Sequence, residues 1–238
     1  MEMGQDEVAV MRIRARPGAY ACGTETIEQI LRAALNVLVE EGSQAFTLRR
    51  IAAECGMKVG NLSYYFPRKE DLVQELLEAV LLGYSDLAAD MLGDTLNDPE
   101  QRLSQAIAFT LDDVRSKQTT NLFPELWALA NHNEKVGQLV QEFYARSQRG
   151  LANLVKGVNA SLSDDECRTV ALFISATIEG TTIFAGHSKP WEPRMPQIKA
   201  MAIRSLIHLA KTLTIEDLRS RTGDAVDALR YADGHCQV

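Results

Sequence analysis

Five residues between positions 58 and 65 carry side chains that can contact nucleic acid. Asn61 can form two hydrogen bonds with an adenine, Lys58 can contact a phosphate or a base edge, and the hydroxyls of Tyr64 and Tyr65 can donate to phosphates. Ser63 lies among them in the stretch KVGNLSYYF. Any one of these residues alone is equally well explained as an exposed surface side chain. Their combination at helical spacing favours contact with DNA.

Two short helices joined by a tight turn are predicted to position these side chains. Thr47 is a good N-cap for the first helix, and Gly56 supplies the left-handed residue that ends it. The second helix begins by Val59, which belongs to the predicted DNA-contact set, and Pro67 stops it. This arrangement is a helix-turn-helix, whose second helix fits a DNA major groove.

The same region resembles the DNA-binding signature of the TetR family of regulators, over about residues 25–80. The matching positions are Thr47, Arg49, Ile51, Ala52, Gly56, Gly60, Leu62, Tyr64, Phe66, Lys69, Glu70 and Leu72. The resemblance implies DNA contacts at Thr47, Arg49, Gly60 and Lys69. The chain has Lys58 where the family usually has Ser, and Ser63 where Tyr is common, so the resemblance does not identify an operator sequence.

The charge distribution permits DNA binding at one end of the protein. The chain of 238 residues has a formal net charge of −7, which taken alone argues against nucleic acid. Residues 1–70 hold nine basic and nine acidic residues, so the remainder, with 16 basic and 23 acidic residues, carries the whole net charge. A neutral, locally basic head on an acidic body is compatible with an operator bound by the head.

Several functional classes find no support in the sequence. The four cysteines are far apart, and the four histidines form no metal-binding pair, so we predict neither disulfides nor a metal site nor a cofactor. No apolar run is long enough to span a bilayer, and the amino terminus lacks the apolar core of a signal peptide. No nucleophile elbow or phosphate-binding loop occurs. These observations predict a cytoplasmic protein that is not an enzyme and has no membrane contact.

The predicted domains follow the helix signals. Residues 1–23 form a basic arm with Arg12, Arg14 and Arg16, which is either a disordered tail or a segment lying along DNA. Residues 24–70 form the helix-turn-helix domain, residues 71–214 an effector-binding and dimerisation domain, and residues 215–238 a surface extension with a short helix in DAVDALRYA.

All-α architecture is predicted, because helix signals recur along the chain and no strand alternation appears. Thr26 with Gln29 resembles a capping box that opens the first helix, and Gly42 closes that helix. Later helices are predicted from Arg68 to near Gly93, from Asp98-Pro99, from Asn121 to Asn131, from Glu134 after an Asn133 cap to Val158, from a Ser163–Glu166 capping box, and from Gln197 to Leu213.

Aromatic residues in the predicted body are candidates for a small-molecule pocket. The candidates are Phe109, Phe123, Trp127, Phe143, Tyr144 and Phe173. Asn131 shares a helix face with Phe123 and Trp127, although these three residues can equally form plain core with a capping Asn. Glu179 lies in the most apolar helix, where a carboxylate needs a partner. It either pairs across a dimer or faces the pocket.

The last two long helices are apolar over more than one face, which predicts core on one side and a second subunit on the other. Small residues such as Ala176 and Gly180 permit close helix approach, and the alternative is a monomer with a buried central helix. The TetR resemblance implies dimerisation through these two helices, and a dimer matches a pseudo-palindromic operator.

The sequence therefore favours a homodimeric regulator of transcription, a repressor released from double-stranded DNA by a small-molecule effector that the sequence does not identify. The competing interpretations are a helical ligand-binding or enzymatic bundle with a non-functional head, and an activator of the same fold.

Overall fold

The computed structural model of the chain describes residues 11–12, 21–91 and 98–219, which form α-helices, one 3-10 turn (Glu192–Arg194) and no strand. The helices are α1 (Ala21–Glu41), α2 (Leu48–Glu54), α3 (Val59–Tyr65), α4 (Lys69–Met91), α5 (Pro99–Asp113), α6 (Lys117–Ala130), α7 (Glu134–Val158), α8 (Asp164–Ala185), α9 (Met195–Thr212) and α10 (Ile215–Arg219). The predicted all-α class is confirmed. No helix in these ranges combines the length and apolarity that crossing a membrane requires.

Helices α1 to α3 form the head, and the predicted turn chemistry is present. Thr47 Oγ1 accepts a hydrogen bond from the Arg50 amide at 3.1 Å and caps α2. Gly56, after α2, has a φ of +67°, and Gly42, after α1, has a φ of +78°. Both angles lie in the left-handed region, where glycine avoids the steric cost of a Cβ. The guanidinium of Arg50 then ties α2 to α1 through Glu41 at 2.6 Å.

Three of the predicted caps are confirmed by side-chain hydrogen bonds in the body. The Asp98 carboxylate accepts the Glu100 amide at 3.2 Å, with Pro99 as the first residue of α5. Asn133 Oδ1 accepts the Val136 amide at 3.2 Å at the start of α7. Ser163 and Glu166 form the complete capping box of α8.

Other predicted boundaries are wrong. Helix α1 begins at Ala21, so Thr26 lies inside it and does not cap it, and the predicted arm loses its last three residues to this helix. Helix α6 begins at Lys117, four residues before the predicted start, because Ser116 caps it by accepting the Thr119 amide at 3.0 Å. Helix α9 likewise begins at Met195 and follows directly on the 3-10 turn.

Two hydrophobic cores organise these helices. The first joins the head to α4, α6 and the amino-terminal half of α7, through fully buried residues such as Leu31, Leu62, Leu76 and Leu122. The second joins α5, the carboxyl-terminal half of α7, α8 and α9. The first core crosses the domain boundary predicted at residue 70, so the head shares its interior with the body.

The described part of the arm lies on α4. The Arg12 amide donates to the Ala79 carbonyl at 2.8 Å, and the Arg12 guanidinium is 3.6 Å from Asp86. At Arg12 the arm therefore contacts α4, and the alternative of an arm lying along DNA stays a prediction. Arg14, Arg16 and the predicted DAVDALRYA helix lie outside the described residues.

Two glycines of the head provide a matched stability test. A Cβ added at Gly56 or at Gly60 would meet no atom within 4 Å, and only Gly56 has a left-handed backbone. We predict that Gly56→Ala lowers the free energy of unfolding by about 1 kcal/mol, because Ala is strained at positive φ. Gly60→Ala is predicted to raise it by up to about 1 kcal/mol, because Ala favours a helix.

Urea denaturation followed by circular dichroism measures both changes. Equal effects of the two substitutions would contradict the backbone assignment of the turn.

Candidate functional site

The outer face of α3 and the α2–α3 turn is rich in exposed polar atoms. Leu62 and Phe66 point into the core, with 0% and 2% of their surface exposed. The opposite face is open, and Tyr64 on it is 82% exposed. The predicted contact residues that are exposed are Thr47, Arg49, Lys58, Val59, Gly60, Asn61 and Tyr64. A seven-residue helix with its apolar side buried therefore presents a polar side to the surroundings.

The remaining predicted contacts are only partly available. Tyr65 is half-buried and packs against the first core, and its ring meets that of Tyr64 edge-on at 5.3 Å. The Lys69 ammonium lies 5.5 Å above the Phe46 ring. Ser63 is half-buried. Tyr64 is thus the tyrosine that is free to reach a phosphate, and Tyr65 supports it.

Basic side chains in the head divide into paired and free ones. Arg50 is held by Glu41 and Glu54, and Arg68 is held by Asp71 at 2.6 Å. The side chains of Arg49 and Lys58 make no ion pair or hydrogen bond with any residue that the structure describes. Their charges are therefore available to an external anion.

A cavity of about 380 Å³ separates the two cores in the body. Helices α4 to α8 all contribute to its wall. Aromatic rings dominate one side: Phe123 is 5.3 Å from Tyr84 and 6.1 Å from Phe143, and Phe143 is 5.3 Å from Tyr144, all measured between ring centroids. Phe109 from α5 completes the aromatic lining. The size and composition are those of a small-molecule site.

One hydrogen-bonded chain on the wall includes Asp113, the last residue of α5. The Thr119 hydroxyl donates to the Asp113 carboxylate at 2.8 Å, and the Tyr84 hydroxyl lies 2.7 Å from the Thr119 oxygen. Because the Thr119 proton is directed at the carboxylate, Tyr84 donates to Thr119. The chain links α4, α6 and α5 beside the cavity.

A second chain ends at Glu179 on α8. The Trp127 indole N–H donates to the Tyr144 hydroxyl at 2.9 Å, and that hydroxyl donates to Glu179 Oε1 at 3.3 Å. Burial raises the pKa of Glu179 to about 7. The hydrogen bond from Tyr144 opposes this shift, and the charge of Asp113 adds to it. Burial and the charge of Glu179 also raise the pKa of Tyr144. Two carboxyl groups therefore share one cavity, one of them titrating near neutral pH.

The structure places five of the eight predicted effector residues on the cavity wall: Phe109, Phe123, Phe143, Tyr144 and Glu179. Trp127 stands behind the wall, where it packs against the first core and orients Tyr144. Asn131 is exposed and ends α6, and Phe173 is 54% exposed on the far side of α8. The predictions for Asn131 and Phe173 are corrected on this point, because helical spacing alone does not tell which face meets the cavity.

Most of the wall residues were not predicted, and among them are Tyr84, Asp113 and Thr119. Asp112 and Asp113 end α5, and no basic residue lies in its last turn. Carboxylates at a helix carboxyl terminus are electrostatically unfavourable. That pattern was the available signal for Asp113. No sequence signal pointed to Tyr84 and Thr119, because the hydrogen bond between them forms only when α4 packs against α6.

No group of three His, Cys, Asp or Glu side chains in the described ranges is arranged to hold a metal ion. His132 is exposed in the turn between α6 and α7.

Family comparisons match both halves of the chain. Residues 30–76 match the model described as bacterial regulatory proteins, tetR family, and residues 99–208 match the BetI-type transcriptional repressor, C-terminal. The HTH-type transcriptional regulator BetI of Stenotrophomonas maltophilia (strain R551-3) is 26% identical over 154 residues, which is 64% of this chain and 77% of that protein. BetI of Escherichia coli (strain K12) is 25% identical over 162 residues, 67% and 82% of the two chains.

Solved structures share the fold. A transcriptional regulator from Saccharomonospora viridis in complex with choline superposes with a TM-score of 0.65 at 20% identity, over 79% of this chain and 97% of that one. A transcriptional regulator from Rhodococcus sp. Rha1 gives a TM-score of 0.63 at 19% identity, over 79% and 100%.

A helix-turn-helix head on a helical body, matched by regulator models over both regions, defines a transcriptional regulator. The chain belongs to the TetR family of transcriptional regulators. Its relatives are DNA-binding regulators, which sets the enzymatic alternative aside.

The shifted pKa of Glu179 predicts a pH-dependent stability. Its ordinary value of 4.5 applies to the unfolded chain, so the folded protein takes up a proton between about pH 4.5 and 7. The contribution of Glu179 to stability is therefore highest below pH 4.5 and falls as the pH rises to about 7. Relative to Glu179→Gln, the wild-type free energy of unfolding should decrease by about 1–3 kcal/mol between pH 5 and 8.

Urea titrations at several pH values measure this difference. Glu134→Gln, at an exposed position outside the cavity, is the control for removal of a carboxyl group. Parallel curves for wild type and Glu179→Gln would show that the carboxyl group is ionised throughout.

Proposed function

We propose that the chain is a homodimeric repressor that binds a pseudo-palindromic operator and is released from it by a small organic cation. The observation that carries the effector class is the pair of carboxyl groups, Asp113 and Glu179, on the wall of a cavity lined mainly by aromatic and aliphatic side chains. The proposal has four parts, which concern the head, the subunit contact, the effector and the coupling between them.

Operator contact is assigned to the exposed face of α3 and its flanks. Arg49 and Lys58 are unpaired within the described residues and supply attraction to phosphates. Asn61 is exposed on the same face and can form a bidentate pair with adenine, while the Tyr64 hydroxyl can donate to a phosphate. Thr47 can do the same, because it accepts the Arg50 amide and keeps its own proton for donation. Gly60 lets the backbone of α3 approach the DNA closely, and Lys69 lies at the start of α4 beside this face.

Subunit contact is assigned to α8 and α9. Their outward faces carry large exposed apolar residues: Leu172 (54%), Phe173 (54%), Ile183 (61%), Phe184 (63%) and Met201 (68%). The opposite face of α8 is buried in the second core. Apolar patches of this kind on a helix pair are typical of interfaces. A monomer would leave them in water, whereas a dimer buries them and pairs two heads for two operator half-sites.

The effector is assigned to a cation because aromatic rings and carboxylates both attract positive charge. A cation within about 6 Å of a ring centroid gains cation–π energy, and a buried carboxylate lacking a cation is costly. A positive effector would stabilise ionised Glu179, whose partner is now only the Tyr144 hydroxyl. The choline complex of the structurally similar regulator supports a quaternary ammonium as the probe.

Coupling between the cavity and the head is assigned to α6, which lines the cavity on one side and contacts α1 and the turn after it on the other. Thr119 and Phe123 line the cavity. On the other side, the Lys117 ammonium pairs with Glu40. The Asn121 amide donates to the Val39 carbonyl at 2.9 Å, and Glu125 accepts the Ser43 amide at 3.2 Å.

These three contacts, four residues apart along α6, hold the end of α1 and the turn after it. A cation that draws Asp113 and Thr119 inward therefore favours a different position of the head. Such a ligand releases the operator only if it prefers the released conformation. Repression is preferred to activation because the carboxyl-terminal region matches the BetI-type repressor model.

Operator titrations test the assignment of the head. We expect Lys58→Ala to weaken binding to all sequences alike and to flatten the slope of log K against log salt by about one unit. Asn61→Ala should weaken binding about 5- to 150-fold at one base pair only, equivalent to about 1–3 kcal/mol. Gly60→Ala should fold and yet bind the operator more weakly. Wild-type affinity in all three variants would show that α3 does not contact DNA.

A second experiment tests the coupling with choline as the probe. In wild type, we expect choline to weaken operator binding about 5- to 150-fold, the usual range for coupled sites. The variant Asn121→Ala/Glu125→Ala should keep its affinity for choline, and its affinity for the operator without choline, within about twofold of wild type. Choline should then have almost no effect on the operator affinity of this variant. Gln138→Ala, on the exposed side of α7, is the control.

Calorimetry measures choline binding, and fluorescence anisotropy measures operator binding. Full coupling in the double variant would assign the transmission to α4 instead of α6. Absence of choline binding to wild type would remove this effector class.

A further inference from the structure

A second hollow adjoins the cavity on the outside of the body. It is a groove of about 140 Å³ between α4 and α7. Three side chains line both the groove and the cavity: Ser85 from α4, and Phe143 and Arg146 from α7. The two spaces therefore adjoin, and these three side chains form part of the boundary between them.

The groove carries negative charge at its outer end. Glu78 of α4 is half-buried and accepts a hydrogen bond from the Gln74 amide at 3.1 Å, and Glu142 of α7 is exposed. Both line the groove. With Asp113 and Glu179 inside, acidic groups extend from the surface to the cavity wall. Such a line of like charges raises the local concentration of a cation and guides it inward.

The boundary between groove and cavity includes side chains that can change rotamer. Arg146 is the one cationic side chain among the residues described as lining either space, and it makes no ion pair with a described residue. It is exposed, so its guanidinium can swing into water while its methylene stem stays against the wall. Phe143 is half-buried and offers a ring face at the same point.

We infer that the groove between α4 and α7 is the entrance through which the cationic effector reaches the cavity, with Glu78 and Glu142 attracting it and Arg146 and Phe143 closing the inner end. The inference rests on the proposed cationic effector and adds the path and the residues that select for charge during entry. The groove walls between these groups are apolar, with Leu81, Leu82 and Leu139, which suits the methyl groups of an alkylammonium ion.

Rate constants for choline test the inference, because an entrance affects rates and a binding site affects the equilibrium. Stopped-flow tryptophan fluorescence, with Trp127 beside Tyr144 as the reporter, gives association and dissociation rate constants. In Glu78→Gln/Glu142→Gln, we expect association to slow about threefold to tenfold and to lose much of its dependence on ionic strength, with little change in dissociation. Glu134→Gln, which removes a charge from α7 outside the groove, is the control.

Leu139→Trp tests the path itself, since Leu139 lines the groove and not the cavity. Narrowing an entrance slows association and dissociation by the same factor, so the dissociation constant of choline should stay within about twofold of wild type. Leu82→Trp, from the opposite wall, provides the same test if Leu139→Trp does not fold. Circular dichroism and calorimetry accompany both variants.

The outcomes separate the entrance from the effector class. Wild-type rate constants in the charge variant and in a folded tryptophan variant, with choline still bound, would overturn the entrance and leave the proposed effector intact. Failure of wild type to bind choline would overturn the effector class and the entrance with it.

Discussion

The hollow between the two hydrophobic cores is the constraint on which the rest of the structure depends. Helix α7 belongs to both cores, with Val140 packed in one and Val155 in the other, and it holds them apart at a fixed distance. The space survives because its walls carry polar groups that an apolar filling would leave without partners. Asp113 and Glu179 keep their carboxyl groups there through hydroxyls of Thr119 and Tyr144. The same burial that raises the pKa of Glu179 disfavours its ionised form, which the proposed cationic effector would stabilise.

The head lacks an interior of its own, and this links it to the cavity. Leu62 of α3 and Leu122 of α6 are fully buried in a single core, so the head cannot tilt without disturbing the helix that lines the cavity. Close-packed interiors shift between discrete arrangements more readily than they deform continuously. The hydrogen bonds from α6 to the end of α1 and the turn after it connect the two regions in addition to the shared core. The two hydrophobic cores therefore both include α7, and the first core contains residues of the head and of the body.

Local chemistry allowed much of the fold to be predicted. Caps at Asp98, Asn133 and Ser163 and the turn glycines Gly42 and Gly56 act over a few residues, and each lies at a helix end. The start of α1 was missed because Thr26 resembles a cap although the helix extends past it. For the cavity, side-chain type indicated aromatic candidates and the buried carboxylate of Glu179. Which aromatic faced inward depended on packing between helices, so Phe173 was misplaced, and the chain from Tyr84 through Thr119 to Asp113 was visible only in three dimensions.

Helix α8 is a wall one helix thick, with Ser175, Ile178 and Glu179 on the cavity side and Leu172, Phe173 and Ile183 exposed on the other. A substitution on α8 can therefore affect both the cavity and the exposed apolar face. A change that enlarges the cavity from α8 also displaces the apolar outer face, whereas α5 carries Phe109 and Thr110 to the cavity without sharing that face. Divergence of ligand preference among descendants of this chain should therefore be recorded mainly in α5 and α7, while α8 changes slowly.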